Sequence, residues 1–203
     1  MIVVDVETSG LNPWRNSILS IGALDFHNPQ NTFYAECRVW EGAEVSPEAL
    51  AINGFTEESI HDAAKPSLEQ LMARFIEWVR PITDQTLAGV NPFFDRDFLK
   101  ASAYRYRYDW GPGRRIIDLH SLCYAHQLSR GLTPPTEQGR TSITADSTFT
   151  YVGLPPQPMP HHAMTDVKLE AESFSRLIHG RHLLDEFADY LLPPYLTAPR
   201  VAL

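Results

Sequence analysis

Seven residues near the start of the chain, Asp5-Val6-Glu7-Thr8-Ser9-Gly10-Leu11, constrain it more than any other stretch. They follow the apolar run Ile2-Val3-Val4, which reads as a buried strand. Side chains on a strand alternate faces with period two. Asp5 and Glu7 therefore point one way, and Val4 and Val6 the other. Thr8-Ser9-Gly10 breaks the strand. Two carboxylates on one face at a strand end repel unless a cation lies between them, and all-oxygen ligands suit a hard divalent ion. The same letters also describe a strand running into a polar turn, so the pair takes its meaning from what lies downstream.

The 203 residues suffice for one domain with a sizeable core, and 43% hydrophobic with 21% charged content is that of an ordinary globular protein. No apolar run is long enough to span a bilayer, and no secretory leader is expected. Cys37 and Cys123 are far apart and lack metal-ligand spacing. The simplest expectation is a reduced, cytoplasmic protein. The formal charge of −8 argues against broad, non-specific binding to nucleic acid, which depends on Lys and Arg neutralising phosphates. It leaves room for an enzyme that grips one strand end through metal ions.

Residues 17–26 and Thr32 to Val39 read as the second and third strands, antiparallel through the turn His27–Asn31. Ser46-Pro47-Glu48 opens a helix that ends near Asn53-Gly54. The next follows Pro66-Ser67, with Leu68, Leu71, Met72, Phe75, Ile76 and Val79 at helical spacing up to Pro81. Thr86 to Val90 reads as a strand. Asn91-Pro92 is expected to cap a helix running to about Tyr108, with Phe94, Phe98 and Ala101 on its inner stripe. Arg114 to Ile117 reads as a strand, Asp118 to Leu128 as a helix, and Ser129 to Thr141 as a loop. Helices are expected over Ser142–Val152, from about His161 to Leu177 or Ile178, and over Arg181–Leu191. Gly153 to Pro160 cannot be helical. Strands first, then strands alternating with helices, give an α/β domain with a mixed central sheet flanked by helices. It is expected to fill residues 1–192, followed by a loose tail over 193–203.

Two further acidic positions stand out. Asp95 falls in the first turn of the helix opened by Asn91-Pro92, directly after a strand end, where sites form in open α/β sheets. An acid there also suits the helix dipole, by roughly 0.3–1 kcal/mol. Asp97 reads as a solvated surface acid. In His161-His162-Ala163-Met164-Thr165-Asp166, Asp166 lies at the border of a helix face made by Ala163, Val167, Ala171, Phe174 and Ile178. His162 and Asp166 are four apart and neighbours if both are helical; His161 sits on the entering loop, free to reach a site beside Asp166. Position alone leaves both histidines open.

Together these motifs resemble the DEDDh, or DnaQ-like, exonucleases, the family of bacterial proofreading subunits and ribonuclease T. The resemblance spans about Ile2 to Leu177 and rests on Asp5-Val-Glu7-Thr-Ser-Gly-Leu11, Asn91-Pro-Phe-Phe-Asp95 and His161-x4-Asp166, in that order. The family spacing selects His161 over His162. Pro47-Glu48-Ala-Leu-Ala-Ile-Asn-Gly54 and Ile117-Asp118-Leu119 add secondary matches. The resemblance implies a ribonuclease H-like fold, with 3′→5′ removal of nucleoside monophosphates from a single-stranded DNA or RNA 3′ end. It implies two divalent ions, Mg²⁺ or Mn²⁺. Asp5 would serve both ions, Glu7 and Asp166 would complete one site, and Asp95 would support the other. His161 would be the general base; an imidazole, with an ordinary pKa of about 6.5, suits the task.

By the same matching, the backbone around Thr8 and Ser9 would meet the terminal nucleotide and Leu11 would wedge against its base. Glu48 would bind its sugar or base edge, and Ile52, Asn91 and Phe94 would line the pocket. For Leu11, Ile52 and Phe94, core packing is the competing expectation. Ribonuclease T-like members tend to carry aromatics where this chain has Leu11 and Ile52, which leans it toward the more general single-strand exonucleases. No polymerase-binding extension or clamp motif is evident, so a free-standing enzyme is expected. Tyr104, Tyr106, Tyr108 and Trp110 offer a candidate homodimer face, or a helix end packed on its own domain. Two other readings compete: a hydrolase of very short oligonucleotides or small nucleotides, and an inactive module binding nucleic acid or protein.

Overall fold

The computed structural model of the protein describes residues 1–197. Its centre is a five-stranded sheet of β1 (Ile2–Thr8), β2 (Ile18–Asp25), β3 (Thr32–Glu36), β4 (Leu87–Gly89) and β5 (Ile116–Asp118), in the order β3-β2-β1-β4-β5. The first three form an antiparallel meander, with Asp5 opposite Gly22, while β4 and β5 run parallel to β1. This is the mixed sheet that the order of elements predicts.

Helices cover both faces. On one lie α3 (Leu68–Val79) and α4 (Pro92–Arg105), packed on Val4, Val6, Ile21 and Phe33. On the other lie α5 (Leu119–Ser129), α6 (Ala145–Tyr151) and α7 (Ala163–His179), packed on Val3, Leu24 and Ala88. Period two on β1 therefore turns Val3, Asp5 and Glu7 toward α7. Two short helices, α1 (Pro47–Asn53) and α2 (Glu57–His61), sit beside the end of β1. Ser46 caps α1 by accepting from the Ala49 N–H, with Pro47 at its first position, and Gly54 ends it at φ 73°.

Several boundaries differ from expectation. β3 stops at Glu36 rather than Val39, because the N–H groups of Arg38 and Val39 donate to the Pro66 and Ile60 carbonyls and draw the chain off the sheet. The 129–141 loop carries a two-stranded hairpin, Thr136–Glu137 with Arg140–Thr141. α4 ends at Arg105 instead of Tyr108, and Asn91 does not cap it with its side chain. Asn91 sits at φ 52°, ψ 49°, and its backbone N–H donates to Asp118 Oδ1 (3.3 Å). Only Asp185–Phe187 of the expected helix over 181–191 is helical, as a single 3-10 turn. The tail is not loose from Pro193: a helical turn at Pro194–Thr197 buries Leu196, and Tyr195 packs on Tyr151. The expected tail over 198–203 lies outside the described residues. Tyr106, Tyr108 and Trp110 pack against the α3–α4 core, which favours the domain-packing alternative for that face, while Tyr104 is exposed.

Candidate active site

The sheet opens a crevice between its two central strands. β4 pairs with only the first part of β1, Ile2 to Leu87 and Val3 to Ala88, and ends at Gly89. The N–H of Val6 is left without a strand partner on that side. Asp95, in the first turn of α4, fills the gap: its Oδ1 accepts from the Val6 N–H at 2.9 Å. The carboxylate is thereby fixed against the end of β1, although α4 packs on the opposite face of the sheet from α7.

Asp5 and Glu7 come from β1, and Asp166 from the first turn of α7. Ligand oxygens of these three lie within 4.8 Å of one another. Asp166 is 2% exposed, and neither of its oxygens has a hydrogen-bond partner. Burial is the first cause of the raised pKa values in the group, and mutual repulsion adds to it at Asp5 and Glu7. Asp5 is raised well above the ordinary carboxylate range by burial and then by Asp95, Glu7, Glu170 and Asp166. Glu7 is raised to about 7 by burial, Asp166 and Asp95. Asp95 is raised by burial to about 7, with the Val6 N–H pulling the other way. Asp166 is raised by burial, and is eased down by the side chain of Gln157 and by His161. Acceptor-only groups crowded without a counter-charge suit a hard divalent cation.

The cluster opens into a cavity of about 310 Å³. Asp5, Glu7, Thr8, Leu11, Glu48, Ile52, Asn91, Phe94, Asp95 and His161 line it, so most of the residues singled out in the sequence meet in one place. Leu11 is 84% exposed and Ile52 48%, which removes core packing as the explanation for either. Phe94 is half-buried against Phe98, with ring centroids 4.8 Å apart. Glu48 is exposed and accepts from the Ser46 hydroxyl, which lowers its pKa. Ser9 is the exception. It is fully buried, its hydroxyl donates to the Glu44 carbonyl, and its N–H and C=O bond to Ser17 and Ser46, so it is an internal anchor and cannot touch a ligand.

The structure also separates the two histidines. His161 lines the cavity, with its N–H donating to the Ile52 carbonyl (2.9 Å). His162 turns away and stacks on Tyr34 at 4.6 Å. Three further residues of the site went unnoticed in the sequence. Asn53 donates to the Thr8 carbonyl (3.0 Å) and steadies the end of β1. Gln157 places its amide nitrogen 3.3 Å from His161 Nδ1. Glu170 is buried beside the cluster, with Oε1 accepting from the Val90 N–H (3.1 Å) and Oε2 unpartnered. Its spacing of four from Asp166 put it on the same helix face, a signal that was available.

The charge crowding has a measurable consequence. These carboxyls hold protons to higher pH in the folded chain than in the unfolded one, where they ionise near pH 4. Between roughly pH 4 and 7 the folded state binds more protons, so stability falls as pH rises through that window. The Tm of the metal-free protein is expected to drop between pH 5 and pH 8, and Mg²⁺ or Mn²⁺ at pH 8 to restore it. A melting curve indifferent to both pH and metal would contradict a site of this kind.

Carboxylates gathered at the carboxyl end of a central strand, beside a cavity and a histidine, on a five-stranded mixed sheet, define a nuclease of the ribonuclease H-like fold. The family model described as Exonuclease matches residues 2–174, and the chain belongs to that family of phosphodiester hydrolases. It is 30% identical over 183 residues to the 3′-5′ DNA exonuclease Cap18 of Escherichia coli, covering 87% of this chain and 90% of that protein. It is 27% identical to the PolC-type DNA polymerase III of Thermotoga maritima, over 87% of this chain but only 12% of the relative. Among solved structures, E. coli exonuclease I in complex with a dA16 oligonucleotide superimposes with a TM-score of 0.68 at 20% identity, over 89% of this chain and 40% of that one. At that identity the likeness is one of fold. Among the described residues, no helix is long and apolar enough to cross a membrane.

Proposed function

We propose that the protein removes nucleoside monophosphates one at a time from the 3′ end of single-stranded nucleic acid. The observation that carries this is the convergence of Asp5, Glu7 and Asp166, with Asp166 unpartnered, at a cavity sized for about one nucleotide. Two divalent ions held there, by Asp5, Glu7 and Asp166 on one side and Asp5 with Asp95 on the other, would activate the attacking water and neutralise charge on the leaving oxygen. His161 takes the proton of that water. Leu11 and Ile52, held out at the mouth, wedge against the terminal base, while Phe94 and Asn91 wall the opposite side. Glu48 stands at the rim, a hydrogen-bond acceptor for the terminal sugar. Thr8 supports the floor, its hydroxyl bonded to the Gly10 carbonyl (2.7 Å).

The relative Cap18 is a 3′-5′ DNA exonuclease, which favours DNA over RNA as the substrate. The two buried, unpaired cysteines suit a reducing compartment such as the cytoplasm. The modest cavity and the acidic charge keep a second reading in view, hydrolysis of very short oligonucleotides. End-labelled single-stranded DNA and RNA of equal sequence, in a series of lengths, are incubated with Mg²⁺, Mn²⁺ or EDTA. A metal-dependent ladder shortening from the 3′ end is expected, and lost in His161→Ala. Cleavage confined to the shortest substrates would select the second reading. No cleavage of any substrate would remove both.

A further inference from the structure

The loop between α6 and α7 carries prolines at 155, 156, 158 and 160, with Gln157 among them. Each proline fixes its own φ near −65° and restricts the residue before it, so the loop is stiff. Pro156, Pro158, Met159 and Pro160 face solvent, while Gln157 between them turns inward. Its backbone N–H donates to Asp146 Oδ1 (2.8 Å), in the first turn of α6. Its side-chain Nε2 lies 3.3 Å from His161 Nδ1. The main chain of His161 is fixed separately, by its bond to Ile52. A stiff loop thus delivers one carboxamide to the back of one imidazole.

A neutral imidazole carries a single N–H. For His161 to take a proton on Nε2, the hydrogen must already reside on Nδ1, and the group facing Nδ1 decides this. A carboxamide offers an acceptor and a donor at equivalent places, which a half-turn of its end group exchanges. In the metal-free protein, with the Asp166 charge unbalanced, it is the amide nitrogen that faces Nδ1. With it balanced, the oxygen end is free to face Nδ1. We infer that Gln157 is a positioning residue for His161: its carboxamide oxygen accepts from Nδ1–H, fixing the ring plane and leaving the lone pair on Nε2 turned to the cavity. On reaction, the water O–H bond breaks, the proton passes to Nε2, and the imidazolium keeps its Nδ1–H bond to Gln157. This rests on the reading of His161 as the base.

The test compares wild type with Gln157→Ala, Gln157→Glu and His161→Ala. Ring ¹⁵N shifts of His161 in Mg²⁺-containing protein report the tautomer without reference to turnover. Wild type is expected to show Nδ1–H, and Gln157→Ala a mixture. Gln157→Ala is expected to lower kcat about 10–100-fold with KM within about twofold and Mn²⁺ affinity unchanged. Gln157→Glu is expected to recover most of kcat and to move the acidic limb of its pH profile upward, since a carboxylate favours the imidazolium. Unchanged ring signals and kcat in Gln157→Ala would overturn the inference, as would a fall in kcat matched by lost Mn²⁺ affinity or lower Tm. If His161→Ala kept wild-type kcat, the base reading would fall, and the ring shifts would still decide whether Gln157 sets the tautomer.

Discussion

Asp5→Asn is expected to silence the enzyme and at the same time to stabilise the metal-free protein. Asp5 stands at the centre of the cluster, and its carboxyl feels Asp95, Glu7, Glu170 and Asp166 together. Asparagine is nearly isosteric and keeps one acceptor oxygen, but it brings no charge to hold a cation. The expected loss is several kcal/mol of transition-state stabilisation, roughly three orders of magnitude in kcat/KM. The gain has the opposite origin. Removing one charge from the crowded cluster at pH 8 relieves repulsion worth about 1–3 kcal/mol, or a few degrees in Tm. Both effects are read on one preparation, by a nuclease assay with Mg²⁺ and a melting curve with EDTA. A variant that kept a tenth of wild-type activity, or melted lower than wild type without metal, would show that Asp5 does not do what is proposed.

Arg176→Met is expected to be among the most damaging changes outside the site. Arg176 is wholly buried on α7, and each of its five N–H groups has a partner. Nε donates to Glu172 Oε1 (2.7 Å), one terminal nitrogen to the carbonyls of Val152 (2.9 Å) and Gly153 (3.2 Å), and the other to those of Phe187 (3.2 Å) and Tyr190 (2.9 Å). Glu172 is equally occupied, accepting also from the N–H groups of Leu183 (2.8 Å) and Leu184 (3.0 Å), with His182 Nδ1 at 3.1 Å. Taking away the arginine leaves a buried carboxylate without its counter-charge and the carbonyls of Val152, Gly153 and Tyr190 without donors, at a cost of about 3–5 kcal/mol. Urea melts measure it, and a loss below about 1 kcal/mol would contradict the account. The double change Glu172→Gln with Arg176→Met should cost less than Arg176→Met alone, because no unpaired charge remains.

The same network explains where sequence reading stopped short. Over Arg181–Leu191 the sequence leads one to expect a helix. Instead the segment is pinned to α7 by tertiary bonds, Glu172 accepting from the N–H groups of Leu183 and Leu184 and Arg176 donating to the carbonyls of Phe187 and Tyr190, with only the turn Asp185–Phe187 helical between them. Tertiary bonds of that kind leave no periodic trace. The acid pair on β1 was legible because strand alternation is local, and the cap at Ser46 because its partner is three residues away. Asp95 was legible as a position, while its bond to Val6 depends on β4 ending early, a fact about another segment. Gln157 lay within a proline run that announces only an absence of helix. Ser9 carried a motif position, and its burial follows from contacts with Glu44, Ser46 and Ser17 that no motif records.

One residue without a functional group bears on all of this. Gly22 lies opposite Asp5 on β2, and a methyl group there would sit 2.5 Å from the main chain of Ala163, at the first residue of α7. Its backbone angles are those of an ordinary strand, so flexibility is not what it contributes. It contributes thinness. The gap between the strand that carries Asp5 and Glu7 and the helix that carries Asp166 is gauged by a missing carbon atom. The spacing of the cluster is thus machined at a position that touches neither substrate nor ion, and a defect there would look like a fault in chemistry although every charge was in place.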